Sequence, residues 1–227
     1  MISLSDLRKF KAEARKFSCL TCYDASMAKA MEIAQIDSIL IGDSLGMSIQ
    51  GRDSTLPVTV DDMAYHTAAV RRGNSHAFIM TDLPFMSYAT LNDALQNSRT
   101  VMQAGAQMVK MEGGAWLAET VEVLTRNGIP VCVHLGLTPQ SVHVLGGYKL
   151  QARTREAADQ LIRDCKAVVE AGAAVLLLEC VPAQLGQEIT ELFPHTPVIG
   201  IGAGNATDGQ VLVVQDMLGL TFGRVVK

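Results

Sequence analysis

The 227-residue sequence has few aromatic residues, which make up 5% of the chain and include a single tryptophan. It also lacks any apolar run close to the ~18 residues that a transmembrane helix requires, so we expect no membrane partner. There is no lysine- and arginine-rich stripe, and 19 basic residues face 23 acidic ones. Because nucleic-acid binding depends on neutralising phosphates, this charge balance argues against a nucleic-acid partner.

Cysteine is also sparse, with five residues in the chain. The odd number, and the lack of a charged-then-apolar leader in the first residues, predict a reduced protein of the cytoplasm. Cys19 and Cys22 match a CxxC motif. They lie in an apolar run typical of a strand, where residues three apart point to opposite faces, whereas a redox CxxC begins a helix. We therefore interpret both as structural.

Hydrophobic residues are abundant, at 48% of the chain, and they are arranged in short runs between longer amphipathic stretches. The runs are 17–22, 38–42, 77–81, 107–111, 130–135, 174–178 and 197–201. Thr59, Thr90 and Thr154 have the spacing of helix N-caps. Regular strand–helix alternation predicts right-handed βαβ units, and seven buried strands favour an α/β fold with a single-domain (β/α)8 TIM barrel over residues 1–227.

The eighth strand is the weak point of this prediction. We expect it near residues 221–226, where no helical pattern follows, so that the barrel either closes in an unusual way or lacks its C-terminal part. The glycine-rich run 200–205 lacks the last glycine of a dinucleotide-binding loop. It predicts a strand-to-helix turn at the mouth of the barrel.

Acidic residues follow five of the seven predicted strands: Asp24, Asp43, Asp82, Glu112 and Glu179. In a (β/α)8 barrel the C-terminal strand ends meet at one mouth, where catalytic residues lie. For each acid taken alone, capping of the next helix remains an alternative. Several carboxylates in one pocket repel each other, and all-oxygen ligands without zinc-type His–Cys spacing indicate Mg²⁺.

Two other polar residues belong to the same predicted strand ends. Lys110 shares a strand face with Glu112, so it either contacts an anionic ligand or balances the charge of that acid. His134 ends the fifth run, where it either faces the mouth as an accessory residue or is a satisfied core histidine.

Seven segments carry a resemblance to a known family. They are 41–47 (IGDSLGM), 53–59 (DSTLPVT), 65–73 (YHTAAVRRG), 82–86 (DLPFM), 109–114 (VKMEGG), 134–141 (HLGLTPQS) and 199–205 (IGIGAGN). Together they resemble the ketopantoate hydroxymethyltransferase family, and the similarity extends from about residue 2 to about residue 216.

The resemblance implies a barrel of the phosphoenolpyruvate/pyruvate superfamily type, dependence on Mg²⁺ and assembly as a homodecamer. It implies transfer of a hydroxymethyl group from 5,10-methylenetetrahydrofolate to 3-methyl-2-oxobutanoate, through a Mg²⁺-stabilised enolate. The product would be 2-dehydropantoate, on the route to pantothenate and coenzyme A. Members of the family continue past residue 227, which leaves open how this barrel closes.

Residue by residue, the family's metal ligands match Asp43, Asp82 and Glu112. The groups that bind the 2-oxo acid match Asp43, Ser44, Asp82 and Lys110. The family's proton acceptor matches Glu179, the acid after the sixth predicted strand.

Three alternatives to this function are kept. The first is another Mg²⁺-dependent lyase or mutase of the same superfamily, acting on a C–C or P–C bond next to a 2-oxo acid. The second is a metal-free Schiff-base aldolase that uses Lys110. The third, a non-enzymatic scaffold, gives no reason for acids to gather at the strand ends.

Overall fold

The structure is a computed structural model that describes residues 1–221. Within them, eight parallel strands close into a barrel in chain order, with the last strand paired to the first. The strands are β1 (Phe17–Thr21), β2 (Ser38–Ile41), β3 (Phe78–Asp82), β4 (Met108–Glu112), β5 (Val131–Gly136), β6 (Val175–Glu179), β7 (Val198–Ile201) and β8 (Gly209–Leu212). The predicted α/β barrel is therefore confirmed.

Helices surround the barrel, and one packs across its N-terminal end. Over residues 1–221 they are α1 (Leu4–Ala12), α2 (Ala25–Ile33), α3 (Leu45–Ser48), α4 (Val60–Gly73), α5 (Leu91–Gln103), α6 (Ala118–Arg126), α7 (Val142–Leu145), α8 (Arg155–Glu170), α9 (Ala183–Leu192) and α10 (Val214–Met217). Leu7 of α1 packs into the cluster that fills the barrel interior. None of the helices in this part of the chain is long and apolar enough to cross a membrane.

Three of the longer helices begin at the predicted threonines. The side chain of Thr59 accepts a hydrogen bond from the Asp62 amide at the start of α4, and Thr154 accepts one from Ala157 at the start of α8. Thr90 caps α5 in the same way. Each cap satisfies a backbone N–H that has no partner within its helix.

The strands β1 to β7 are largely buried on both faces, which is why they are visible in the sequence as continuous apolar runs. Alternate residues point inward and form one cluster in the barrel, including Phe78, Met80, Met108 and Cys132. The residues between them pack under the surrounding helices in a second cluster. This period-two alternation decides which side chains reach the mouth.

The prediction for the eighth strand was wrong in position. The strand is Gly209–Leu212, paired with both β7 and β1; residues 222–226 of the expected segment lie outside the described residues. Its outward residues Gln210 and Leu212 are exposed, so it does not form an apolar run. The run 200–205 is likewise no strand-to-helix turn, because the chain passes from β7 to β8 without a helix in the described 202–208 segment.

The CxxC pair behaves as strand geometry predicts. Cys19 packs inside the barrel and Cys22 packs in the outer cluster, and both are free thiols. Burial raises the pKa of Cys19 to about 12 and that of Cys22 to about 11. Neither thiol is suited to redox chemistry, which requires a lowered pKa.

A buried ion pair ties α1 to the β7–β8 connection. Lys11 Nζ lies 2.6 Å from Asp208 Oδ2 and donates to the Thr190 carbonyl at 3.0 Å. Lys11→Met should lower the free energy of unfolding by about 3 kcal/mol, because Asp208 is left buried without its counter-charge. Denaturant titration measures this effect. Lys9→Met on the same helix is the control, since its pairing with Glu13 is solvent-exposed; equal losses in both variants would contradict the prediction.

Candidate active site

Charged side chains continue the inward-facing rows of four neighbouring strands. Asp82 follows Met80 on β3, and Glu179 follows Leu177 on β6. On β4 the inward-facing residues are Met108, then Lys110 and Glu112, and on β5 they are Cys132, then His134. The barrel interior is therefore apolar at its N-terminal end and charged at its mouth.

Lys110 lies at the centre of this group. Its Nζ is 2.9 Å from Asp82 Oδ1, 3.7 Å from Glu112 Oε1 and 3.3 Å from His134 Nδ1. All four side chains are almost completely buried. The ion pair with Asp82 does not satisfy hydrogen-bond geometry, so Asp82 Oδ1 is a buried oxygen without a hydrogen-bond partner among the described residues.

Asp43 and Ser44 come from the loop after β2. The Asp43 amide donates to Asp82 Oδ2 at 3.0 Å, which places the two acids side by side, and Asp43 is 3% exposed. Ser44 is only half-buried, at the edge of the group, with its Oγ 2.8 Å from the Tyr23 hydroxyl.

His134 faces the mouth and lies between two carboxylates. Its Nδ1 is 3.3 Å from Glu112 Oε1, and its Nε2 is 3.2 Å from Glu179 Oε2. The Glu179 side chain is 17% exposed, against 2% for Glu112. Glu179 is therefore the acid of this pair that a molecule in the mouth can reach.

In this group of side chains, the carboxyl groups outnumber the basic groups, and this imbalance shifts their pKa values. Burial and the carboxylates of Asp82 and Glu112 raise the pKa of Asp43 well above its usual range, and burial raises the pKa of Asp82 as well. Burial would also raise the pKa of Glu112, but contact with His134 and the charge of Lys110 outweigh it and lower that pKa. Burial disfavours the Lys110 ammonium, yet the surrounding carboxylates raise its pKa, so Lys110 stays charged.

His134 predicts a pH dependence of stability in the metal-free protein. Burial and Lys110 lower its pKa, but contacts with Glu112 and Glu179 raise it to about 9, above the ordinary value of 6.5. A raised pKa contributes stability that is complete below pH 6.5 and is lost as the pH rises through 9, by a few kcal/mol at most. Denaturant titrations across this range, with chelator present, should show a loss in the parent that is absent from His134→Gln.

The exposed His195 gives the matched control for that experiment. His195→Gln should follow the parent across the pH range. Parallel profiles for the parent and His134→Gln would contradict the assignment of the effect to His134.

Not every strand-end acid belongs to the site. Asp24 is exposed, and its side chain accepts a hydrogen bond from the Met27 amide as the N-cap of α2. For this residue the helix-cap alternative is the one observed. The other acids, Asp43, Asp82, Glu112 and Glu179, meet at the mouth with Lys110 and His134.

Sequence reasoning missed two polar residues of the site, Gln140 and Tyr88. Gln140 lies in a short 3₁₀ turn after β5, and its amide group contacts both Asp43 and the Tyr88 hydroxyl. Both residues are at least 93% buried. Gln140 belongs to the 134–141 segment, but spacing along the chain carries no signal for its contact with Asp43, 97 residues away.

The side chains at the mouth are of the types that bind a divalent cation. Asp43, Asp82 and Glu112 place three buried carboxylates beside the single ammonium of Lys110. Side-chain oxygens of this kind suit Mg²⁺. No three His, Cys, Asp or Glu side chains in residues 1–221 converge closely enough to hold an ion as they stand. Lys110 lies between Asp82 and Glu112 in this arrangement.

An open cleft of about 340 Å³ lies at the opposite, N-terminal end of the barrel. Its charged groups include Arg15 and Asp37, which pair with each other at 2.6 Å, and Asp37 also accepts hydrogen bonds from Ser18. Because these charges are satisfied, we place the candidate site at the mouth, where charges are buried in excess.

Sequence comparisons identify relatives over the whole chain. A family model described as ketopantoate hydroxymethyltransferase matches residues 1–227. A 3-methyl-2-oxobutanoate hydroxymethyltransferase of Acinetobacter baumannii is 90% identical over 227 residues, which is 100% of this chain and 84% of that relative. The enzymes of the same name from Acinetobacter baylyi and Psychrobacter sp. are 85% and 63% identical, with the same coverage.

Solved structures with the same fold are far more distant in sequence. A phosphonopyruvate hydrolase in complex with oxalate and Mg²⁺ has a TM-score of 0.72 at 14% identity, covering 97% of this chain and 84% of that one. A 2,3-dimethylmalate lyase, a member of the PEP mutase/isocitrate lyase superfamily, has a TM-score of 0.67 at 15% identity, with the same coverage. These similarities confirm the predicted (β/α)8 barrel fold.

Proposed function

Since this chain belongs to the ketopantoate hydroxymethyltransferase family, we propose that it transfers a hydroxymethyl group from 5,10-methylenetetrahydrofolate to 3-methyl-2-oxobutanoate, giving 2-dehydropantoate. The proposal rests on the arrangement of charged side chains at the mouth of the barrel. A buried ammonium, Lys110, lies among three buried carboxylates, and a more accessible carboxylate, Glu179, lies across His134 from them.

Asp43, Asp82 and Glu112 are the residues that would hold Mg²⁺. The ion would supply Lewis-acid polarisation of the substrate's carboxylate and keto oxygens, which is worth several kcal/mol of transition-state stabilisation. Support comes from the excess of buried carboxyl groups over the one ammonium of Lys110 among them.

The substrate is an anion, and Lys110 is the positive group of the mouth that would bind it. Ser44, half-buried at the edge, would donate its hydroxyl to the same 2-oxo acid and fix its orientation. Since the surrounding carboxylates keep Lys110 protonated, the neutral amine that a Schiff-base aldolase needs is disfavoured.

Glu179 would accept the proton from C3 of the substrate. Its Oε2 lies 3.2 Å from His134 Nε2, which places the imidazole ring beside the carboxylate. Water breaks the two C–N bonds of the folate's methylene group, so that tetrahydrofolate leaves with its nitrogens reprotonated and the one-carbon unit carries the oxygen of water at the oxidation level of formaldehyde. The electron pair released from the C3–H bond then forms the new C3–CH₂ bond to this carbon, and its oxygen takes up the proton that Glu179 accepted.

The experiment that tests the proposal follows C3 of 3-methyl-2-oxobutanoate by proton NMR in D₂O. Without folate, we expect exchange of the C3 proton that requires Mg²⁺. With 5,10-methylenetetrahydrofolate, a hydroxymethyl signal should appear. Product without prior exchange would mean that the donor binds before deprotonation; neither exchange nor product would contradict the proposed function.

We also propose that the protein acts in the cytoplasm as a homo-oligomer, a decamer by family resemblance, with residues 1–227 forming one domain. The five free cysteines support a reducing compartment.

A further inference from the structure

Gln140 hydrogen-bonds to two of the acids that are proposed to hold the cation, Asp43 and Glu112. We propose that Gln140 is a positioning residue, which orients Asp43 with its side-chain amide and Glu112 with its backbone N–H, and thereby sets the affinity for a divalent cation. This inference rests on the proposed function, in which these two acids are metal ligands.

The side-chain amide and the backbone N–H of Gln140 are both hydrogen-bonded. Its Nε2 donates to Asp43 Oδ2 at 2.8 Å and to the Leu83 carbonyl at 3.0 Å. Its Oε1 accepts a hydrogen bond from the Tyr88 hydroxyl at 2.6 Å. Its backbone N–H donates to Glu112 Oε2 at 2.9 Å. One residue therefore holds one oxygen of each acid and leaves the other oxygen of each for different contacts.

The orientation of the Gln140 amide is determined by these partners. Reversing it would place the amide oxygen against the Leu83 carbonyl, which cannot donate a hydrogen bond. The side chain is 6% exposed, and Tyr88, which fixes its oxygen, is 7% exposed. The Tyr88 oxygen also accepts from the Glu112 backbone amide at 3.2 Å, so the network returns to the strand that carries Glu112.

The backbone places Gln140 in the loop after β5, next to the acids that are proposed to bind the cation. The residue lies in the 3₁₀ turn Pro139–Ser141, four residues after the end of β5. In the same loop, the Leu137 amide donates to the Glu179 carbonyl at 2.9 Å. Groups that hydrogen-bond to metal-ligating carboxylates fix their direction, and their removal typically weakens metal binding by about 10- to 100-fold.

The test compares Mn²⁺ binding by electron paramagnetic resonance in the 227-residue parent and in Gln140→Met, which keeps the length of the side chain and removes its polar atoms. We expect Mn²⁺ affinity to fall about 10- to 100-fold. Gln107→Met is the matched control, because Gln107 also bonds to backbone groups but at the N-terminal end of the barrel. It should bind Mn²⁺ as the parent does.

Tyr88→Phe provides a second, milder variant that removes only the hydroxyl bonded to Gln140. If Gln140→Met does not fold, the Mn²⁺ affinity of Tyr88→Phe tests the inference in its place. A smaller loss of Mn²⁺ affinity in this variant supports the inference. The inference would be overturned if Gln140→Met, or Tyr88→Phe where Gln140→Met does not fold, bound Mn²⁺ as tightly as the parent. An equal loss of affinity in Gln107→Met, or no Mn²⁺ binding by the parent, would also overturn it. Weakened Mn²⁺ binding in a protein that catalyses no C3 exchange would support Gln140 while the proposed reaction fails.

Discussion

Replacing Glu179 with glutamine should lower turnover by about 100- to 10,000-fold, the usual contribution of a positioned general base. Glutamine has nearly the same size and remains beside His134 at the end of β6, but it cannot accept the C3 proton. Lys110 and the carboxylates proposed to bind the 2-oxo acid lie on β3, β4 and the loop after β2, so the affinity for 3-methyl-2-oxobutanoate should stay close to that of the parent. Steady-state kinetics, C3 exchange and calorimetric titration measure these quantities.

Glu188→Gln, at an exposed position on α9, is the matched control and should have parent activity. A loss of substrate affinity as large as the loss of turnover would show that Glu179 binds the substrate rather than taking its proton. An undiminished exchange rate would remove Glu179 from the proton transfer altogether.

Lys110→Met should have the second large effect, on stability and binding together. The substitution leaves Asp82, Glu112 and Asp43 buried without their ammonium, and loss of one partner from a buried ion pair costs about 3–5 kcal/mol. Denaturant titration of the metal-free variant should show this loss, and its affinity for the 2-oxo acid should fall. Added Mg²⁺ should stabilise the variant more than the parent, because a cation at the acids replaces part of the missing charge.

Lys166→Met, on the exposed face of α8, controls for the loss of a lysine. If the metal-free Lys110 variant were as stable as the parent, the three carboxylates would not depend on that ammonium. A stabilisation by Mg²⁺ no larger than in the parent would argue against a cation site among these acids.

Local patterns in the sequence were sufficient for most of the architecture. Strands buried on both faces are continuous apolar runs, and a threonine three residues before a capped amide marks the start of α4, α5 and α8. These signals depend on residues near each other in the chain. The strand β8 was not predicted at its true position because its outward side chains are exposed, so that it does not form an apolar run. Its place in the barrel comes from pairing with β7 and β1.

The candidate acids were also recognisable, but their partners were not. Acids at the ends of strands are visible in the sequence, and a closed parallel barrel brings such ends together. Whether an acid caps a helix, as Asp24 does, or enters the mouth, as Asp82 does, depends on the face of the strand and on the loop that follows. The sequence likewise leaves undecided whether His134 faces the mouth or the core, and the structure places its two ring nitrogens beside Glu112 and Glu179.

The sequence by itself determined the alternation of strands and helices, the acids at the strand ends and the family. Only the tertiary structure decided that Lys110 lies between acids, that His134 links two carboxylates and that Gln140 bonds to Asp43 from 97 positions away. The physical reason is range: hydrophobic periodicity and helix capping act over a few residues. Burial of charge and hydrogen bonding across a barrel depend on residues that only the closed sheet brings together.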